Sequence, residues 1–326
     1  MRILVVGAGA IGGYFGGRLL EAGRDVTFLV REQRAAELAV DGLMINSVFG
    51  DFTRPAPPTV LAHDIDAPFD LVLLSCKAYS LSDAIRSVAP AVGPDTAILP
   101  LLNGMRHLDV LDEHFGKKHV LGGQCVIAAT LDPEHRIVHL NENHELSFGE
   151  RDGVLSDRVR AIAEAMQGAR FEARASQRIL LEMWEKWMFL AAFAAGTCLM
   201  RAAIGDIAEA PGGTELMLGL LDECRTIAEA SGFPPHDGFV ERTRGTLTAA
   251  GSTLTASMLR DIENRNPIEA GHIIGDLIHR GERAGASTEK AALLRLAYAH
   301  LKAYEARRRR EPRRQRGDEG SIPLSP

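Results

Sequence analysis

Residues Arg2 to Gly13, RILVVGAGAIGG, run an apolar strand directly into Gly7-x-Gly9-x-x-Gly12. Glycines at this spacing suit a phosphate: the first permits a sharp strand-to-helix turn, the second lets a pyrophosphate approach the backbone, and the third lets helix and strand lie close. The helix start through Ala8, Ala10 and Ile11 adds unpaired N–H groups and a positive dipole end. A dinucleotide is therefore the expected ligand of Gly7, Ala8, Gly9, Ala10, Ile11 and Gly12, with a merely structural turn as the alternative. After the second strand the chain reads Leu29-Val30-Arg31-Glu32-Gln33-Arg34. Arg31 stands where NAD-binding chains carry a carboxylate, so a 2′-phosphate and NADP(H) are expected, while Glu32 keeps NAD open.

Three more polar side chains could act on a substrate. Lys77 and Asn103 each follow an apolar run, over 71–75 and 97–101, and ligands of doubly wound sheets lie beyond the carboxyl ends of strands. Plainer readings are a solvated loop cation for Lys77 and a turn dipeptide for Asn103-Gly104. Lys186 lies among Trp184, Trp187, Met188, Phe189 and Leu190, with Glu182 and Glu185 the nearest carboxylates in sequence. Its ammonium either snorkels to the surface or sits desolvated in a cleft, where its pKa falls and it can donate a proton.

The elements that must position these groups alternate in the first half. Strand patterns fall at 2–6, 25–30, 43–45, 71–75, 97–101 and 120–129, then at 136–140 and 145–148 as a hairpin around Asn141-Glu142-Asn143, and at 171–173. Helical patterns at 80–88 and 155–166 lie between them, so the expected fold is an α/β Rossmann-type domain over 1–177 with a parallel-rich, doubly wound sheet. From 178 to 306 only helical periodicity remains, over 179–200, 213–231, 241–250, 267–284 and 289–308, predicting an all-α substrate and catalytic domain. Such a pair places its active site in the cleft between the domains.

Taken in order, GAGAIGG, Arg31, Lys77-Ala78, Asn103-Gly104, Trp184-x-Lys186, Ser257-Met258-Leu259-x-Asp261-Ile262 and Glu269 resemble the ketopantoate reductase family over residues 1 to about 305. The resemblance implies NADPH-dependent reduction of a 2-oxo acid, 2-dehydropantoate to pantoate, on the route to pantothenate and coenzyme A. It implies Lys186 as proton donor and Glu269 as a catalytic residue near the nicotinamide, which either holds Lys186 or binds a substrate hydroxyl. It further assigns Asn103 to both cofactor and substrate, Ser257 to the substrate, and Lys77 and Ala128 to the cofactor.

The match fails at three positions. The family carries asparagines one and two helical turns after the lysine and a polar residue three before the serine; here these are Leu190, Ala194 and Leu254. Leu190 and Ala194 are expected on the cleft wall with Lys186, making it greasier and opening a more apolar 2-oxo acid or another carbonyl compound as substrate. Two rivals remain: a 3-hydroxyacid dehydrogenase type and a non-catalytic NADP(H)-binding regulator.

Bulk properties bound the rest. The 326 residues suit two domains. Net charge is −6, and because residues 307–326 carry +4, the body carries −10, which argues against nucleic acid as partner. That basic tail is expected to be disordered. Four scattered cysteines and a core strand beginning at Arg2 suit a cytoplasmic chain with no leader. The uncharged stretch 187–200 is too short for a membrane span. No metal is expected from the eleven histidines, which lack HExxH spacing. An apolar helical second domain often forms a homodimer.

Overall fold

The continuous apolar runs at 3–6 and 71–74 demand strands buried on both faces, and both lie at the centre of a parallel sheet. In a computed structural model, which describes residues 1–286 and 291–311, β1 (Arg2–Val6) leads through α1 (Ala10–Glu21), β2 (Asp25–Leu29) and α2 (Glu32–Asp41) to β3 (Leu43–Asn46), β4 (Phe52–Arg54) and β5 (Thr59–Val60). Next come β6 (Leu71–Leu74), α3 (Leu81–Val88), β7 (Ala97–Pro100) and α4 (Arg106–Phe115). The first sheet has the order β5-β2-β1-β6-β7, with every pair parallel. Chain order reverses at β1, so a crevice opens beyond the carboxyl ends of β1 and β6.

A second sheet covers the other side of α1. It is built from β8 (Gly122–Leu131), β9 (Ile137–Gly149) and β10 (Glu172–Ala175), the last reached through α5 (Asp157–Met166). Its order is β10-β9-β3-β4, with β8 antiparallel to β9. The hairpin expected around 141–143 does not occur; 136–140 and 145–148 belong to a single strand of 13 residues. A β-bulge between Ile127 and Ala129 absorbs the irregularity, and Asn141 uses its Oδ1 to accept from the Ala128 N–H at 3.2 Å instead of turning the chain. The reversal falls earlier, where Asp132 accepts from the N–H groups of Glu134 and Arg136.

Small residues let α1 sit between both sheets. A Cβ on Gly12 would lie 2.2 Å from Gly7 O and from Ser75 Oγ, and one on Gly16 would lie 2.6 Å from the Phe28 ring. On the opposite face, Cβ atoms on Gly13 and Gly17 would meet Ile137 at 2.5 Å and Ile45 at 2.7 Å.

The helical part opens with α6 (Ile179–Met200), apolar on nearly all sides and therefore a core helix. Around it lie α7 (Ile204–Glu209), α8 (Gly213–Ala230), α9 (Asp237–Leu247), α10 (Ser257–Glu263), α11 (Asp276–Arg283) and α12 (Ala292–Arg310). The helix expected over 267–284 is a π-helical turn, Gly271–Gly275, running into α11. Arg307 to Arg310 form the last turn of α12, where cations face the negative dipole end. Glu289, the expected helix start, and the tail from 312 onward lie outside the described residues. No described helix is long and apolar enough to cross a membrane. One buried cluster joins Val72, Leu74 and Ile98 of the first sheet to Met183, Trp187 and Leu220, so the two parts share a core.

Gly12→Ala is expected to cost about 1–3 kcal/mol of stability, because backbone and Ser75 would have to move apart. Gly9→Ala, whose Cβ would meet nothing within 4 Å, should melt near the wild-type midpoint. Thermal unfolding of the two variants reads the difference, and equal midpoints would refute the close approach.

Candidate active site

The crevice at the chain reversal is a groove of about 680 Å³ lined by Gly7, Ala8, Gly9, Arg31, Arg34 and Cys76 among others. Gly7 takes φ +92°, and its N–H donates to Leu29 O at 3.0 Å, which fixes the turn. Ser75 Oγ donates to Val6 O at 2.9 Å and ties the end of β6 to the same loop. Gly9 caps α1 with open space above it, and the N–H groups of Ala10, Ile11 and Gly12 have no partner inside the helix. This open backbone cradle at a helix start fits a pyrophosphate.

The two arginines after β2 divide their work. Arg34 is largely buried, donates to Ala8 O at 3.2 Å and pairs with Glu37 at 3.0 Å, so it braces the glycine loop. Arg31 leaves its guanidinium 81% exposed at the groove mouth, 3.5 Å from Asp83, free to meet a phosphate. Burial pushes the Cys76 thiol up to about 12, so the groove wall carries no thiolate. Ala128 is placed on the bulge of β8, and its N–H is taken by Asn141 rather than offered to the groove.

Glu269 joins the two parts of the chain. Its Oε1 accepts from the Ala78 N–H at 2.9 Å, and its Oε2 lies 3.4 Å from Lys77 Nζ, which is also 3.5 Å from Asp261. Burial opposes the Lys77 charge, but Glu269 and Asp261 outweigh it and raise the pKa of the ammonium. Of the two tasks expected for Glu269, holding Lys186 is not seen: the carboxylate is engaged at the end of β6.

Lys186 is turned inward. Its Nζ donates to Cys125 O on β8 at 2.6 Å, burial lowers its pKa, and no carboxylate among the described residues bonds it. Beside it is a small cavity of about 10 Å³ shared with Asn103, Gln124, Leu190 and Trp187. An ammonium with unused N–H groups at the edge of a cavity can polarise an oxygen and deliver a proton to it.

Ala194 is not on this wall. Each residue advances about 100° around a helix, so Leu190 lies about 40° from Lys186 and Ala194 about 80°, enough to turn it into the core at 5% exposure. Ser257 is exposed in the first turn of α10 and Leu254 is 49% exposed; neither lines the cavity. Gln124 lines it although sequence reasoning passed over it; the available signal was an amide inside the apolar strand run 120–129.

The Asn103-Gly104 turn rests on a histidine pair. Gly104 has φ +79°, and a Cβ there would be 3.1 Å from both the ring and the carbonyl of His272. His272 Nε2 lies 3.4 Å from Nδ1 of the fully buried His107, while Trp187 Nε1 donates to Ile273 O at 2.8 Å. The π-helical turn thus braces both Asn103 and the helix carrying Lys186. Among the described residues no group of three or more His, Cys, Asp or Glu is disposed to hold a metal.

Burial, and then the neighbouring His272, Arg280, Lys186 and Arg151, hold the His107 pKa well below the ordinary imidazole range. The unfolded chain therefore binds a proton that the folded one refuses, and stability falls as pH drops below about 6.5. Melting midpoints from pH 7.5 to 5 should decline, and His107→Phe should flatten that slope by up to about 1.4 kcal/mol per pH unit. An unchanged slope would exclude His107 as its source.

Residues 3–153 match the family described as ketopantoate reductase PanE/ApbA, and residues 178–305 match its C-terminal domain. An uncharacterized oxidoreductase of Bacillus subtilis (strain 168), YkpB, is 38% identical over 94% of this chain and 99% of its own. A 2-dehydropantoate 2-reductase from Nostoc sp. is 26% identical over 94% of this chain and 96% of its own. The crystal structure of 2-dehydropantoate 2-reductase from Geobacter metallireducens GS-15 superposes with a TM-score of 0.84 at 28% identity, covering 93% of this chain and 99% of that one. Groove, inward-turned lysine and these matches agree, and the chain belongs to the ketopantoate reductase family as an NADP(H)-dependent oxidoreductase.

Proposed function

We propose that the protein reduces 2-dehydropantoate to pantoate, with Lys186 as the proton donor. The observation that carries this reading is the Lys186 ammonium, half-buried, bonded to Cys125 O and without a carboxylate partner among the described residues, beside Asn103 after the carboxyl end of β7. Bound NADPH supplies a hydride to the C2 carbonyl carbon. As charge develops on the carbonyl oxygen, Lys186 donates its proton there, a role worth typically about 10²- to 10⁴-fold, and the neutral amine recovers a proton from solvent.

In this reading Arg31 meets the 2′-phosphate of the cofactor, and the Gly7 to Gly12 turn meets the pyrophosphate. Asn103 holds the carbonyl and nicotinamide in register. Lys77 and Glu269, already paired across the domain junction, orient the ribose side of the cofactor and the substrate hydroxyls. Ser257 reaches the substrate from α10 only if that helix closes on the cleft. Leu190 on the cavity wall supports a second reading, a more apolar 2-oxo acid as substrate. Tight NADPH binding without NADPH consumption across a panel of 2-oxo acids would instead identify a non-catalytic binding protein.

Lys186→Ala should lower kcat at least about 100-fold and leave the NADPH Kd within about threefold. Because only the ammonium can donate, wild-type kcat should fall as pH rises through a Lys186 pKa below the ordinary lysine value of about 10.4. Steady-state kinetics with a fluorescence titration of NADPH checks both, and unchanged turnover in the variant would remove Lys186 from the mechanism. Arg31→Ala should cut the NADPH-over-NADH preference in kcat/KM about tenfold or more; a preference that survives intact would assign the 2′-phosphate to another group.

A further inference from the structure

β8 runs along α6 with strict alternation of side chains. A Cβ on Gly122 would sit 2.7 Å from Ile179 of α6, whereas Cys125 points the other way, its Sγ 3.9 Å from Leu101 O. Gln124, two residues beyond Gly122, therefore shares the α6 face and reaches the cavity formed with Met183, Lys186, Trp187 and Leu190. It is 8% exposed, and its Oε1 is buried with no hydrogen-bond partner among the described residues.

A buried amide oxygen without a donor is rare in folded proteins, because its lost hydration is not replaced. Met183, Trp187 and Leu190 around the same cavity offer the amide oxygen no donor, so apolar packing does not account for an amide here. The cavity supplies the missing explanation. Its volume, about 10 Å³, admits one oxygen-sized group, so of a substrate only a single hydroxyl would enter it while the reacting carbonyl stays at its mouth. Lys186 offers donors and suits the reacting carbonyl; Gln124 Oε1 offers only an acceptor and suits a group that brings its own hydrogen.

We propose that Gln124 is a specificity-determining residue whose Oε1 accepts a hydrogen bond from a hydroxyl on the substrate's side chain, so that the preferred substrate is a hydroxylated 2-oxo acid. The inference rests on the reading of this cleft as a 2-oxo acid reductase site. Leu190 then covers the alkyl part of the same substrate, and the polar reading lost from α6 is supplied from β8. A site built around an acceptor rejects an analogue lacking the donor, because the acceptor is left unpaired.

The test uses reduced acids with NADPH bound, so that no turnover occurs. Pantoate and the same acid without its 4-hydroxyl are titrated against the full chain, read by calorimetry and by fluorescence of its two tryptophans, one of which, Trp187, lines the cavity. Wild type should bind the dihydroxy acid about tenfold or more tightly. Gln124→Met should abolish that ratio while leaving the Kd of the monohydroxy acid within about threefold, with Gln124→Leu as a second variant should the first melt early. A ratio that persists in the variants, equal Kd values in wild type, or no binding of either acid would overturn the proposal; a water filling the cavity would give equal Kd values. NADPH consumption on the matching 2-oxo acids is measured alongside. Selective binding without consumption would sink the reductase reading and leave Gln124 standing, whereas consumption with equal Kd values would do the reverse.

Discussion

The close approach of α1 to two sheets is the constraint on which the rest of the molecule depends. Gly12 and Gly16 bring the helix onto the loop and strands of the parallel sheet, and Gly13 and Gly17 bring it onto β3 and β9. Side chains at these positions would push the helix outward, and its first turn would leave the groove. The helix start, with its unpaired N–H groups, is held at the end of β1 by packing on both sides. The phosphate-binding character of the turn is thus a property of a three-layer sandwich as well as of the glycines themselves.

The cavity at Lys186 is assembled from elements distant in the chain. Asn103 comes from the end of β7, Gln124 from β8 and Lys186 from α6, and they converge because the apolar face of α6 continues the core of the first sheet. The desolvation that lowers the Lys186 pKa is a consequence of the same packing. Glu269, meanwhile, spends its carboxylate on Ala78 and Lys77, so its main contact joins the helical part to the end of β6. One side chain therefore ties the helical part to the strand end that borders the groove. The His107–His272 pair plays a comparable part behind Asn103, at the expense of one unbonded ring nitrogen, His107 Nε2.

The departures from the family pattern take on a different weight in three dimensions. Ala194 is core, and its loss of an amide changes packing more than substrate contact. Leu254 lies on the surface of a loop before α10. Of the three, only Leu190 lines the cavity at Lys186, which Gln124 also lines. Asn103, Gln124 and Lys186 keep that cavity polar on three elements.

Features that depend on near neighbours in the chain were legible before any folding. Periodicity and glycine spacing were enough for the first strand and its turn, for the α/β part followed by helices, and for an apolar helix carrying Lys186, because each is a local pattern of 2.0 or 3.6 residues. Local pattern also placed Arg31 and Asn103 just beyond strand ends, where Arg31 lines the groove and Asn103 the small cavity at Lys186. Tertiary structure alone decided that 137 to 149 is one strand, because the bulge and Asn141 that keep it straight are paired across β8. It alone decided that Glu269 bonds Ala78 and Lys77, that Ala194 turns away from the cleft, and that the Gln124 amide is buried without a donor. Those outcomes are set by contacts between residues 13 to 192 positions apart, through burial and the competition for hydrogen bonds, and no local pattern records which partner will win.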